Sequence, residues 1–330
     1  MTTPQHPIGS GFSAATTTAH ILRGIDLVGH VAIVTGGYSG IGAETVRALV
    51  SAGARVIVPA RDIDRARAGL AGLGGVEIWP MDLLDPASID SFAKRFIDTG
   101  LPLDILVNSA GIMAVPTLER DARGHELQFA TNHLGHFQLV QRLLPALRAA
   151  GKARVVSVSS IGHRYSPVHF DDLDYTARAY DPWIGYGQSK TANILLAVEL
   201  DARERANGIR AFALHPGSIA GTGLERHVPR QMLIDHGILD AAGNPIRDPS
   251  RNLKSVEQGA STSIWCAASS QLDGMGGVYC ENCEIAEVSD GGSVETTMAD
   301  SLRPGGVRAY AIDPDAARRL WALSEELTGV

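Results

Sequence analysis

The chain has 330 residues, 45% apolar and 20% charged, the balance of an ordinary globular protein with one large or two medium domains. Its 29 basic and 36 acidic side chains leave a formal charge of −7, without the basic stripe of a nucleic-acid binder. No run reaches the ~20 apolar residues of a membrane helix, and three cysteines make no disulfide framework, so a cytoplasmic protein with neither nucleic-acid nor membrane partners is expected.

Residues 1–25 are rich in Ser, Thr, Ala and Gly and carry neither the basic start nor the apolar stretch of a signal peptide. They are expected to form a loose or docked arm. From Val31 onward, short apolar runs alternate with amphipathic stretches, the signature of βαβ units. Val31–Thr35 is followed by a helical pattern at Gly42–Ala52, Arg55–Val58 by Ile63–Leu70, and Val76–Trp79 by Pro86–Thr99. Ile105–Asn108 then precedes Glu126–Ala150, Arg154–Val158 precedes Ser189–Asn207, and Arg210–Leu214 closes the series. The strand-like runs do not alternate, as expected of strands covered on both faces. Six such strands predict an α/β, doubly wound parallel sheet, a Rossmann fold of two mononucleotide-binding halves.

One domain over 26–285 is expected. Within it, residues 217–254 are richer in polar, Pro and Gly residues and only weakly periodic. An insertion directly after the sixth strand lies at the ligand-binding edge of such a sheet and is expected to be a substrate lid. A helix at Val256–Ser269 and an apolar piece at Val278–Cys280 follow. The C-terminal extension, 286–330, reads as a Gly/Ser-rich loop and a closing helix Pro314–Leu327 capped by Asp313.

The first strand runs into Thr35-Gly36-Gly37-Tyr38-Ser39-Gly40-Ile41-Gly42 and then a helix. Glycines there allow a tight turn and close approach of backbone to a pyrophosphate, and the helix N-terminus offers free N–H groups. Gly36, Tyr38, Ser39, Gly40, Ile41 and Gly42 are therefore candidate cofactor contacts. The second strand ends at Ala60-Arg61, without the carboxylate that would accept from a ribose 2′-OH. Arg61 offers a fork suited to a 2′-phosphate, which favours NADP(H), with NAD(H) the alternative. Cys280 and Cys283 lack a second cysteine pair, and His133 and His136 lack a third ligand, so no metal site is expected. His163 lies close enough to Ser160 to line a pocket, with a core or loop role the other reading.

These motifs resemble the short-chain dehydrogenase/reductase family over residues 28–285. Thr35–Gly42 is similar to its cofactor loop, and Asn108-Ser109-Ala110-Gly111 to its NNAG-type motif. Asn132 resembles its active-site asparagine, Ser160 its catalytic serine, and Tyr186-Gly187-Gln188-Ser189-Lys190 its YxxxK motif. Pro216-Gly217 follows the sixth strand in the family's order. The 26 residues from Ser160 to Tyr186, and the tail GGVYCENCEIA with AARRLWALSEEL, resemble the retinol-dehydrogenase-like branch.

The resemblance implies an NAD(P)-dependent oxidoreductase with Asn132, Ser160, Tyr186 and Lys190 as catalytic residues. Tyr186 and Lys190, four apart, share one helix face. A lysine cation, joined by the positive nicotinamide, would favour the phenolate and lower a pKa that is ordinarily near 10. Ser160 would donate to the substrate oxygen, and Asn132 would position a relay water. Asp82 and Leu83 would meet the adenine. Asn108, Ala110, Gly111, Pro216 and Gly217 would complete the cofactor contacts together with Tyr186 and Lys190. A homodimer or homotetramer through the Glu126–Ala150 and Ser189–Asn207 helices is implied as well.

Met113, Tyr165, Trp183, Ile184, Met232 and Leu233 are candidate pocket-wall residues, suited to a medium-sized, fairly apolar alcohol or carbonyl compound. Two other readings stay open. One is reduction of a carbon–carbon double bond on the same scaffold. The other is a non-catalytic NADP(H)-sensing regulator, although such proteins commonly lose the tyrosine.

Overall fold

The unbroken Val, Ile and Leu runs become the strands of one sheet, and the amphipathic stretches become the helices that cover it. The computed structural model describes residues 3–289 and 305–330. In chain order the first half holds α1 (Thr18–Ile21), β1 (Val31–Thr35), α2 (Gly40–Ser51), β2 (Arg55–Ala60), α3 (Ile63–Gly69), β3 (Val76–Pro80), α4 (Pro86–Asp98) and β4 (Ile105–Asn108). Next come α5 (Leu127–Phe129), α6 (Gly135–Ala149), β5 (Ala153–Val158), α7 (Pro182–Glu204) and β6 (Ile209–His215). The chain ends with α8 (Arg230–Asp235), α9 (Val256–Ala268), β7 (Val278–Glu281), β8 (Glu284–Ile285) and α10 (Pro314–Thr328).

The strand order is β3-β2-β1-β4-β5-β6-β7-β8, parallel except for β8. Chain order reverses between β1 and β4, whose last residues Thr35 and Asn108 lie in register. Ligands bind open α/β sheets at that point, beyond the strand ends. Both faces are buried, one under residues such as Phe96, Phe137 and Leu143, the other under Leu49, Ile264 and Trp265.

Several expectations need correction. Six strands undercounts the sheet: Val278–Glu281 pairs in parallel with β6, and Glu284–Ile285 folds back on it. The first is expected only as an apolar piece at Val278–Cys280, and the second is two residues long. The run Glu126–Ala150 is helical from Leu127 to Ala149 as expected, but a π turn at Ala130–Leu134 lies within it, between α5 and α6. Such bulges gather at functional sites. The helix expected from Ser189 begins earlier, at Pro182, where Asp181 accepts from the amides of Trp183 and Ile184 at 2.8 and 2.9 Å.

The N-terminal arm is docked. Gln5 pairs its carboxamide with the main chain of Tyr279, donating at 2.7 Å and accepting at 2.9 Å, much as a further strand would. At the other end, Asp313 caps α10 as expected, accepting from Asp315 and Ala316. Most of the expected Gly/Ser-rich loop, 290–304, lies outside the described residues.

α10 packs on part of α6 and α7, the helices through which pairing with a second copy is expected. Ala317 and Leu320 pack with Leu134, Ala192 and Leu195, and Trp321 stands edge-on to Phe137 at 5.0 Å. Ser324 Oγ lies 2.8 Å from the buried His133 Nε2. An amphipathic closing helix must bury its apolar side somewhere, and this surface takes it. No helix among the described residues is long and apolar enough to cross a membrane.

Candidate active site

A cleft of about 800 Å³ opens beyond the ends of the central strands. The glycine turn forms one wall. Gly36 and Gly40 hold φ at 64° and 51°, which favours glycine. A Cβ on Gly42 would run into the Gly36 carbonyl oxygen, so nothing larger fits where α2 begins. Ser39 occupies the N-cap without bonding its hydroxyl to the helix amides. The first-turn N–H groups and the positive end of the helix dipole remain for an anion. A pyrophosphate suits this cradle.

Tyr38, Arg61, Asp82, Leu83, Ala110, Gly111, Pro216 and Gly217 line the same cleft. Asn108 does not. Its side chain is buried at the end of β4, and neither of its amide atoms finds a partner among the described residues. Two further residues were not anticipated. Arg65 lines the cleft with Arg61, and the two stand four apart around the helix cap Asp62, a spacing visible in the sequence. Thr222 lies against the glycine turn, where a Cβ on Gly40 would stand 2.9 Å from its Cβ.

The chemistry-bearing residues meet at the end of β5. Ser160 caps the 3₁₀ turn Ile161–Tyr165, its Oγ accepting the Gly162 N–H at 3.0 Å. That leaves the hydroxyl proton available on the Tyr186 side, where Ser160 opposes the rise of the phenol's pKa. The tyrosine ring lies on Gly162, where a Cβ would stand 2.7 Å from Cε1. One turn along α7, Lys190 Nζ donates to Val158 O at 3.1 Å and lies 5.6 Å from the Tyr186 ring centre. Asn132 stands in the π turn, behind the cleft wall. Its Oδ1 accepts from Ile112 N at 2.9 Å, and its Nδ2 donates to Ile112 O at 3.0 Å and Ser189 Oγ at 2.9 Å. It thereby pins the segment that Lys190 passes: a Cβ on Gly111 would stand 3.1 Å from Asn132 Oδ1 and 3.5 Å from Lys190 Nζ.

Burial pushes the Tyr186 phenol up to about 12, opposed by the Ser160 hydrogen bond, and pulls Lys190 down to about 8. The lowering expected from Lys190 also needs the positive nicotinamide; in the protein alone burial is the larger effect on Tyr186. Ser160 is the group that favours the phenolate here. At neutral pH the phenol keeps its proton and the ammonium is mostly charged.

Met113, Tyr165, Trp183 and Leu233 line the cleft as expected, with Tyr165 and Trp183 edge-to-face at 5.8 Å. Ile184 and Met232 do not, and Val228 and Ile238 take their place. Ile184 is turned away from Trp183 by one helix step of ~100°, and Met232 packs into the cluster behind. That cluster joins Val228, Leu233, Ile238 and Leu253 to Met113 and Trp183, so the insertion has a small core of its own.

The histidines and cysteines weighed as ligands from the sequence lie in the interior of the fold. His136 is buried between Asn132 O at 3.0 Å and Thr35 Oγ1 at 2.9 Å. His163 is buried too, with Nδ1 donating to Ser160 O at 2.7 Å. Cys280 and Cys283 are buried free thiols.

A family model described as short chain dehydrogenase matches residues 30–232. A Streptomyces lividans protein named "Probable oxidoreductase" is 47% identical over 302 residues, covering 90% of this chain and 97% of that one. Retinol dehydrogenase 11 of Mus musculus is 33% identical over 312 residues, covering 93% and 88%. Among solved structures, an uncharacterized protein from Mycobacterium paratuberculosis superposes with a TM-score of 0.71 at 31% identity, covering 96% and 98%. The Pseudomonas aeruginosa RhlG/NADP active-site complex superposes with a TM-score of 0.59 at 26% identity, covering 78% and 95%.

Proposed function

This chain belongs to the short-chain dehydrogenase/reductase family, whose members are NAD(P)-dependent oxidoreductases, and on that premise we propose that it moves hydride between NADP(H) and the alcohol or carbonyl carbon of a medium-sized, apolar substrate. The convergence of Ser160, Tyr186 and Lys190 at one end of the cleft carries the reading. Reduction needs a proton donor at the substrate oxygen, and the protonated Tyr186 phenol is the donor form. Ser160 donates a hydrogen bond to the same oxygen as charge develops there. Lys190 holds positive charge beside the phenol, and Asn132 fixes the segment through which a proton is resupplied. When bound, the nicotinamide supplies the hydride and, once oxidised, a positive charge that favours the phenolate. The test is whether hydride from NADPH reaches a carbonyl carbon.

The preference for NADP(H) rests on Arg61 and Arg65 at the cleft and on the absence of a carboxylate at Ala60. The NADP complex among the structural neighbours supports it. Arg61→Ala weakens NADPH binding by about 1.5–3 kcal/mol, the range for a hydrogen bond to a charged group, and leaves NADH binding nearly unchanged. Equal losses in fluorescence titrations of the two cofactors would remove Arg61 from 2′-phosphate recognition.

Residues 217–254 act as the substrate lid in this reading. The supporting observation is that their apolar cluster closes on Met113 and Trp183 and contributes Val228, Leu233 and Ile238 to the cleft. Their amides should exchange faster than those of β4 and β5 in the free protein and slow down when NADPH and a ketone are added. Exchange as slow as the central strands, unchanged by ligands, would make the segment fixed scaffold.

A further inference from the structure

His215 ends β6 and lines the cleft, yet it is almost wholly buried. The Ile161 N–H donates to its Nδ1 at 3.1 Å. Ile161 is the residue directly after Ser160, so this bond fixes the backbone that carries the serine hydroxyl. Burial, with the Lys254 charge nearby, keeps His215 neutral, its pKa well below the ordinary histidine value. A neutral ring that accepts at Nδ1 carries its proton at Nε2. Facing Nε2 at 3.3 Å is the Asn252 carboxamide, with its Nδ2 nearest and its Oδ1 without a partner among the described residues. A protonated Nε2 requires an acceptor, so the carboxamide is assigned with nitrogen and oxygen exchanged, Oδ1 toward the ring.

Asn252 belongs to the closing end of the insertion. It holds a left-handed φ of 61°, a conformation that persists in a non-glycine residue where its surroundings fix it. Its carbonyl accepts the Ser218 N–H at 2.9 Å, and Lys254 N donates back to Ser218 O at 2.9 Å. A chain of bonds therefore runs from the anchor of the insertion through one imidazole to the residue beside Ser160.

We propose that His215 is the positioning residue for Ser160, held in its Nε2–H tautomer by Asn252, so that the seating of the insertion and the aim of the serine hydroxyl are linked. The inference rests on the reading that Ser160 bonds the substrate oxygen.

A double-mutant cycle in the full chain tests it, with NADPH and acetophenone as probe. His215→Leu lowers kcat by roughly tenfold, with KM for the ketone and Kd for NADPH within about threefold. In a Ser160→Ala background the same change costs nothing further, because the only group it acts through is already gone. His215→Asn, whose carboxamide oxygen can take the place of Nδ1, recovers most of the loss, and Asn252→Ala falls between. Losses that multiply in the double variant would overturn the proposal while leaving the reading of Ser160 intact. A Ser160→Ala variant with unchanged kcat would instead refute that reading. Long-range ¹H–¹⁵N spectra of histidine-labelled protein decide independently of turnover. His215 should show a neutral ring protonated at Nε2, and an Nδ1–H tautomer or an imidazolium at neutral pH would contradict the assignment.

Discussion

Tyr186→Phe lowers kcat by about 10²–10⁴-fold, the range a positioned general acid contributes, and leaves NADPH affinity nearly unchanged. The ring stays where it is, because it is packed on Gly162 and buried within α7. Only the hydroxyl is lost, and with it the proton that reduction delivers to the substrate oxygen. Ser160 and Lys190 keep their own anchors, at Gly162 N and Val158 O, so the deletion does not collapse the site. Turnover within a few-fold of the parent protein would remove Tyr186 from the acid/base role. Loss of cofactor binding together with turnover would indicate a damaged fold instead.

The second large effect is acid instability. His133, His136 and His163 are fully buried, and burial pulls their pKa values down to about 3, 4 and 3. His215 is displaced the same way. In the unfolded chain each returns to about 6.5. Below that pH the unfolded state takes up protons the folded state cannot, so stability present above ~6.5 is lost as pH falls toward the folded values. At pH 5 the loss is about 2 kcal/mol for each of the three. Glu126 and Glu281, raised by burial, run the other way but are fewer. Against a typical total stability of ~5–15 kcal/mol, that is enough for a clearly lower urea midpoint at pH 5. Urea titrations at pH 7 and 5 measure it. Equal midpoints would mean that these rings are solvated or charged in the native protein.

Much of this architecture was legible because its determinants are local. Strands buried on both faces need unbroken apolar runs, and Val31–Thr35 and Ile105–Asn108 match expectation at both ends. The glycine turn announces itself because Gly42 cannot be anything else. The start of α7 was hidden for a related reason. Gly185 and Gly187 flank Tyr186 and weaken helical propensity, but a Cβ on Gly187 would stand 2.7 Å from Gly162 O, and the helix needs that closeness to reach the Ser160 turn. The π turn within Glu126–Ala150 was invisible because what stabilises it lies elsewhere in the chain, at Ile112 and Ser189. The seat of α10 follows from tertiary packing that no periodicity contains. His215, one residue past the expected strand Arg210–Leu214, carries no local signal, because its two partners, Ile161 and Asn252, come from distant parts of the chain.

The most direct test of hydride transfer to a carbonyl uses NADPH carrying deuterium at C4 of the nicotinamide. The protein is supplied with each labelled C4 epimer in turn and with saturated ketones, aldehydes and conjugated enones of medium size, and the products are read by NMR. Deuterium is expected from one epimer alone, on the carbinol carbon of the alcohol formed, and at a rate about 10²–10⁴-fold lower with Tyr186→Phe. Deuterium on the β-carbon of a saturated ketone made from an enone would contradict it and establish double-bond reduction instead. Tight NADPH binding with every label retained in the cofactor would contradict it equally, and point to a protein that senses the cofactor without using it.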